Sequence, residues 1–156
     1  MRAIVLSDTH GSRKKLLDTL TAVGNFDLLV HLGDGASDID AVRPYINADV
    51  LAVKGNNDIF SYLPETRVAE ICGLRVFCCH GHTIGVRGNR TALARRAAEL
   101  GCSVALYGHT HKVADETIDG VRCLNPGSIG YPVGKRTVIE ITDVSGKTEI
   151  NFIEAE

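Results

Sequence analysis

Apolar residues recur along this chain in short blocks separated by Gly, Asp, Asn and His. "RAIVLS" (2–7) is a short β-branched run and reads as a buried strand. "SRKKLLDTLTAVG" then shifts to helical spacing, with Leu16, Leu20 and Val23 on one face, Ser12 as N-cap and Gly24 as the stop. "LLVHLG" (28–33) and "VLAVKG" (50–55) are the second and third strands. "SDIDAVRPYI" between them predicts a short helix broken near Pro44.

From residue 66 onward the rhythm changes. "TRVAEI" and "LRVFCCH" flank Cys72-Gly73 and predict two strands joined by a tight turn. Asn89 is placed to cap "RTALARRAAELG", a helix with Leu93, Ala97 and Leu100 inward. "SVALYG" (103–108) is another buried strand. Asp119-Gly120 joins "ADETI" to "VRCLN", and Ser145-Gly146 joins "RTVIEITD" to "KTEINFIE". Alternating β and α units followed by hairpins indicate an α/β domain, part parallel and part antiparallel, spanning 1–156. Two facing sheets with helices outside would bury both kinds of strand; a single sheet is the alternative.

The chain's 44% apolar and 23% charged residues are ordinary for a globular protein, and its net charge of −2 supplies no basic field for nucleic acid or anionic membrane. No apolar stretch approaches the roughly 20 residues that span a bilayer. The opening segment reads as a first strand, not a secretion signal. Five cysteines, odd in number and without CxxC spacing, read as small buried hydrophobes in a reducing cytoplasm.

Candidate chemistry lies just past the strands. "SDTHG" carries Asp8 and His10, "GDG" carries Asp34, "GNND" carries Asn56, Asn57 and Asp58, "HGH" carries His80 and His82, and "GHTH" carries His109 and His111. Each segment alone is a good turn. Together they place carboxylate, carboxamide and imidazole at five strand ends, where sites form in open α/β sheets. This donor set suits Mn²⁺, Fe²⁺, Zn²⁺ or Ni²⁺ and needs no thiolate. The ligands are too many for one tetrahedral ion and suit two ions sharing a carboxylate.

In order, D-x-H, GD, GN-x-D, HGH and GHTH resemble the calcineurin-like metallophosphoesterase superfamily, closest to its small single-domain phosphodiesterases. "LNPGSIG" (124–130) also looks like a loop of that group. The resemblance implies a four-layer α/β/β/α sandwich of two mixed sheets. It implies two divalent ions, with Mn²⁺ expected and Ni²⁺, Zn²⁺, Fe²⁺ or Mg²⁺ as alternatives. Asp8, His10 and His111 would hold one, Asn56, His80 and His109 the other, with Asp34 bridging. A hydroxide shared by the ions would attack phosphorus in line. Many superfamily enzymes have His after the metal-binding Asn; here Asn57 can donate a hydrogen bond but not shuttle a proton. His82 is the candidate replacement, as acid or phosphate holder.

His31 is expected to pack or to buttress Asp34, and Asp58 to orient its turn. Arg13, Lys14, Arg87, Arg90 and Lys112 near the motif loops are read as solvated charges, with phosphate contact the alternative. The expected partner is a small phosphodiester, with a homodimer or homotetramer possible and neither membrane nor dedicated nucleic-acid binding. The alternatives are a protein-interaction scaffold on the same fold, as in Vps29, and a low-specificity nuclease.

Overall fold

The computed structural model describes residues 1–155. The strands are β1 (Arg2–Leu6), β2 (Leu28–His31), β3 (Asp49–Ala52), β4 (Thr66–Ile71), β5 (Leu74–Cys79), β6 (Val104–Leu106), β7 (Val113–Ile118), β8 (Val121–Pro126), β9 (Thr137–Val144) and β10 (Lys147–Glu154). The helices are α1 (Arg13–Val23), α2 (Ala36–Val42) and α3 (Thr91–Glu99). Short 3₁₀ turns follow at Arg43–Tyr45 and His82–Ile84.

The strands form two sheets of five, ordered β10-β9-β1-β2-β3 and β4-β5-β6-β8-β7, so the single-sheet alternative fails. Three parallel strands run in each, β1, β2 and β3 in one and β5, β6 and β8 in the other. Antiparallel partners flank them.

Strand alternation assigns side chains to layers. Ala3 and Val5 of β1 meet Val76 and Cys78 of β5 between the sheets. Ile4 and Leu6 point the other way, onto Leu16 and Leu20 of α1 and Ile39 of α2. Phe77 and Ala105 point out of the second sheet, onto Leu93, Ala94 and Ala97 of α3. Helix, sheet, sheet and helix thus form four layers. Strands covered on both faces explain the continuous apolar runs.

The three expected hairpin turns form with positive φ at both central residues: Cys72-Gly73, Asp119-Gly120 and Ser145-Gly146. Two helix starts differ in detail from expectation. Ser12 sits at the N-cap of α1 without a side-chain capping bond, and its carbonyl accepts the Leu16 N–H instead. Arg90, not Asn89, occupies the N-cap position of α3, and Asn89 acts from one residue earlier, its Oδ1 accepting the Thr91 N–H at 3.0 Å. The strands predicted over 50–55 and 103–108 leave their ladders at Ala52 and Leu106, because the chain turns at Gly55 and Gly108 into the cleft.

Candidate metal centre

The loops after β1, β2, β3, β5 and β6 converge at one edge of the sandwich. Backbone bonds tie them together: Asp8 N donates to Gly33 O, His10 N to Asp34 O, and Gly108 N to His80 O. Among the described residues eight non-glycine residues have positive φ, and five are Asp8, His10, Asp34, His109 and His111. The other three open the hairpin turns. The left-handed region is costly for a residue bearing a Cβ, so its concentration here marks a functional site. Glycine makes the close approach possible: a Cβ on Gly55 would lie 2.1 Å from Asp34 Oδ1, and one on Gly108 2.1 Å from Ser7 Oγ.

Two clusters of ligating atoms form, Asp8 with His10 and His111, and Asp8 with Asp34 and His80, each within 4.8 Å. His111 Nε2 is 3.1 Å from Asp8 Oδ1 and 3.1 Å from His10 Nε2. Asp34 Oδ2 lies between the clusters, 3.7 Å from His10 Nε2 and 3.4 Å from His80 Nε2. Asn56 Oδ1 is 3.0 Å from His80 Nε2. His109 stands at the edge, its ring centroid 5.0 Å from that of His80. Its Nε2 accepts from Arg87 Nε at 3.0 Å.

The residues fit divalent cations. Asp8 Oδ2 accepts from Ser7 Oγ and His109 N, whereas Asp8 Oδ1 is buried with no hydrogen-bond partner among the described residues. His80 Nδ1 faces the Leu32 carbonyl at 2.7 Å, which can only accept, so Nδ1 bears the proton. In the neutral ring Nε2 is then a lone pair facing Asn56 Oδ1 and Asp34 Oδ2. A ring of acceptors around one space is the chemistry of a cation site.

Electrostatics agree. Burial would raise Asp8, but contacts with His10 and His111 and the field of His80 hold it well below the usual carboxylate range. Asp34, lifted by burial but drawn down by His80 and Asn57, falls to about 2. His10 is raised, chiefly by Asp8. His80 is raised despite burial, by Asp34 and Asp8. His109 is lowered by burial and by the charges of His80 and Arg87. Ionised carboxylates beside imidazoles drawn toward protonation define a pocket of negative potential.

Several residues act one step back. Asp58 accepts four backbone N–H groups, from Asp34, Gly35, Ala36 and Gly55, and so orients two loops instead of one turn. His31 is packed, as expected, and it supports the Asp34 loop through the neighbouring residue: its Nδ1 accepts from Gly33 N at 3.1 Å and its Nε2 meets Thr9 Oγ1 at 3.3 Å. Burial pushes His31 down to about 4, so it is neutral. The exposed Asn57 donates its side-chain amide to Asp34 Oδ2 at 2.7 Å. His82 Nδ1 is buried without a partner among the described residues, its ring 5.4 Å from that of His80.

Of the basic residues, Arg13 reaches Asp38, Lys14 pairs with Asp18, and Arg90 pairs with Glu116, as expected of surface charges. Arg87 departs from that reading by holding His109. Lys112 lies exposed beyond His111.

Four supporting residues have no local signal in the sequence. Asp38, read only as part of a weak helix, accepts from Thr9 Oγ1 and Gly11 N. Ser7 bonds Asp8 across one residue. Asn125 Nδ2 donates to Gly108 O and Thr110 Oγ1, and Ser128 Oγ donates to Asp8 O. The last two lie in "LNPGSIG", where resemblance was the available pointer.

Two mixed sheets whose parallel strands end in a carboxylate- and imidazole-lined cleft define a metallohydrolase-type centre. Residues 1–147 match the calcineurin-like phosphoesterase superfamily domain, and the chain belongs to that family. A probable metallophosphoesterase of Bacillus subtilis, YsnB, is 30% identical over 88% of this chain and 80% of its own. The phosphodiesterase MJ0936 of Methanocaldococcus jannaschii is 27% identical over 88% and 90%. The vacuolar protein sorting-associated protein 29 of Schizosaccharomyces pombe is 31% identical over 82% and 72%. A predicted phosphoesterase from Streptococcus pneumoniae superimposes with a TM-score of 0.78 at 27% identity, covering 99% of this chain and 89% of the other. A novel archaeal phosphodiesterase gives 0.77 at 25%, covering 99% of both.

Proposed function

We propose that this protein hydrolyses phosphodiesters with two divalent cations bound. Asp8, His10 and His111 would hold one and Asn56, His80 and His109 the other, with Asp34 between them. The observation that carries this reading is the pair of ligand clusters that share Asp8, whose buried Oδ1 has no hydrogen-bond partner among the described residues. Bound there, divalent ions would lower the pKa of water and neutralise charge on phosphoryl oxygens.

The chain's own residues do the positioning. Ser7 and the His109 N–H hold Asp8 Oδ2, leaving Oδ1 aimed into the cleft. Asn57 keeps Asp34 ionised and oriented and offers no proton to a leaving alkoxide. His82, beside His80 and His109 and with its buried Nδ1 unpartnered among the described residues, is the side chain we assign to hold a proton or a phosphoryl oxygen. Esters with good leaving groups should therefore react fastest. Mn²⁺ suits the mixed oxygen and imidazole set. All five cysteines are buried free thiols, in keeping with a cytoplasmic protein.

The test is turnover of a chromogenic aryl phosphodiester and the matching monoester by chelated protein after return of Mn²⁺, Ni²⁺, Zn²⁺ or Mg²⁺. Diester cleavage restored by metal and lost in Asp34→Asn and His109→Ala supports the enzyme. Metal binding without turnover favours the second reading, a scaffold, which the 31% identity to a vacuolar protein sorting-associated protein motivates.

A further inference from the structure

The loop that follows Asn57 exposes three large apolar side chains in four residues: Ile59 (71%), Phe60 (95%) and Tyr62 (103%). Hydrophobic side chains so fully solvated and so close together mark a binding surface. They border a cavity of about 640 Å³ whose wall also includes Asn57, Arg43 and Arg67. That volume falls within the roughly 300–1,000 Å³ of small-molecule sites. Another cavity, of about 710 Å³, lies between α1 and Tyr45–Ala48, lined by Phe26 and Asp27 just before β2, so it opens away from the carboxyl-end cleft.

Position sets this aromatic loop apart. Asn57 belongs to the cavity wall and hydrogen-bonds both carboxylate oxygens of Asp34. A group seated in the cavity is therefore one residue from the proposed reacting centre. A phosphodiester has two arms, and the phosphorus at the centre leaves one of them beside Asn57.

We propose that this cavity binds an aromatic arm of the diester, a nucleobase-sized planar ring, stacked on Phe60 and Tyr62, with Arg43 and Arg67 at the rim. Aromatic side chains stack on any flat π-face, and guanidinium groups both stack on rings and attract phosphate charge. Asp40 and Asp58 also line the cavity. The Asp58 carboxylate is satisfied by four N–H groups, which leaves the guanidinium groups of Arg43 and Arg67 against the single exposed carboxylate of Asp40, a net positive rim. The inference deepens the phosphodiesterase reading and rests on it.

The experiment compares thymidine 5′-(4-nitrophenyl phosphate), which has an aromatic ring on each arm, with methyl 2,2,2-trifluoroethyl phosphate, which has none and whose hydrolysis is followed by fluorine NMR. Each is assayed with metal-loaded wild type and with the double variant Phe60→Ser, Tyr62→Ser, whose side chains are solvated and do not support the core. Calorimetric affinity for thymidine 5′-methylphosphonate gives a readout independent of turnover. Losing the stacking should raise KM for the thymidine ester, and weaken the phosphonate, by about tenfold or more. The methyl ester should stay within about twofold. Equal effects on both esters, or none, overturn the subsite, as does an oligomer that falls apart in the variant with KM unmoved. If wild type turns over neither ester, the phosphodiesterase reading fails, and calorimetry still decides whether Phe60 and Tyr62 bind the base.

Discussion

The Nδ1 of His80 donates to the carbonyl oxygen of Leu32 at 2.7 Å, across 48 residues of sequence. That single bond fixes the imidazole tautomer and turns the Nε2 lone pair toward Asn56 and Asp34. On the proposed two-ion reading, His80→Ala should bind one divalent ion per chain instead of two, and lose metal-dependent turnover by at least about 100-fold. Metal analysis after dialysis, with circular dichroism as a check on folding, decides it.

Asp58 holds the Asp34 loop through four N–H groups, an arrangement only a carboxylate can satisfy. Asp58→Asn replaces one oxygen with a donor that faces backbone donors. The expected cost is roughly 2–4 kcal/mol in urea unfolding, since unmet N–H groups lose their charged acceptor. Metal affinity should fall with it, because Asp34 N loses its anchor.

Gly55 leaves the room that Asp34 occupies. Its backbone is outside the left-handed region, so alanine is opposed by space alone. Gly55→Ala should weaken metal binding about 10- to 100-fold, whereas Gly88→Ala, whose Cβ would meet only a carbonyl at 3.7 Å, should not. Isothermal titration with Mn²⁺ on both variants compares them directly.

His31 is buried and neutral, its pKa lowered from 6.5 to about 4. Between those values the unfolded chain binds a proton that the folded chain refuses, so stability rises with pH. The contribution is complete above pH 6.5 and is lost as pH falls toward 4, on the order of 3 kcal/mol in all. His31→Asn keeps an acceptor near Gly33 N without the titration. The stability difference, wild type minus variant, should shrink across that window, and subtraction removes the opposite effects of His10 and His80. A difference flat with pH would show that His31 is not held neutral.

In the proposed phosphodiesterase Asn57 would be the neighbour of metal ligand Asn56, and its amide is spent on Asp34 instead of on a leaving group. Rates across aryl and alkyl diesters should fall steeply as leaving-group pKa rises. Asn57→His should flatten that dependence while lowering the rate on the best aryl ester, because Asp34 loses its hydrogen bond. A Brønsted plot for each protein measures both slopes.

Much of this protein was decided by local sequence. β-branched runs covered on both faces, a helix stop at Gly24 and three turns of the type set by a second-position glycine follow from short-range sterics and burial. The residues at strand ends were legible because carboxylate, amide and imidazole have no place in a dry core unless something binds them.

Tertiary structure decided the rest. No local rule states that β9 inserts beside β1, Ile139 against Val5, or that β4 to β8 separate into their own sheet. Nor does sequence reveal that Asp8, His10, Asp34, His109 and His111 adopt positive φ, a strain that only surrounding packing can hold. The partnerships of His31 with Gly33 and Thr9, of Asp38 with Gly11, of Asn125 with Gly108 and of Arg87 with His109 likewise depend on separate loops meeting. Residue type is chemistry, and the chain carries it openly. Which lone pair faces which proton is geometry, and it exists only once the two sheets have closed on each other.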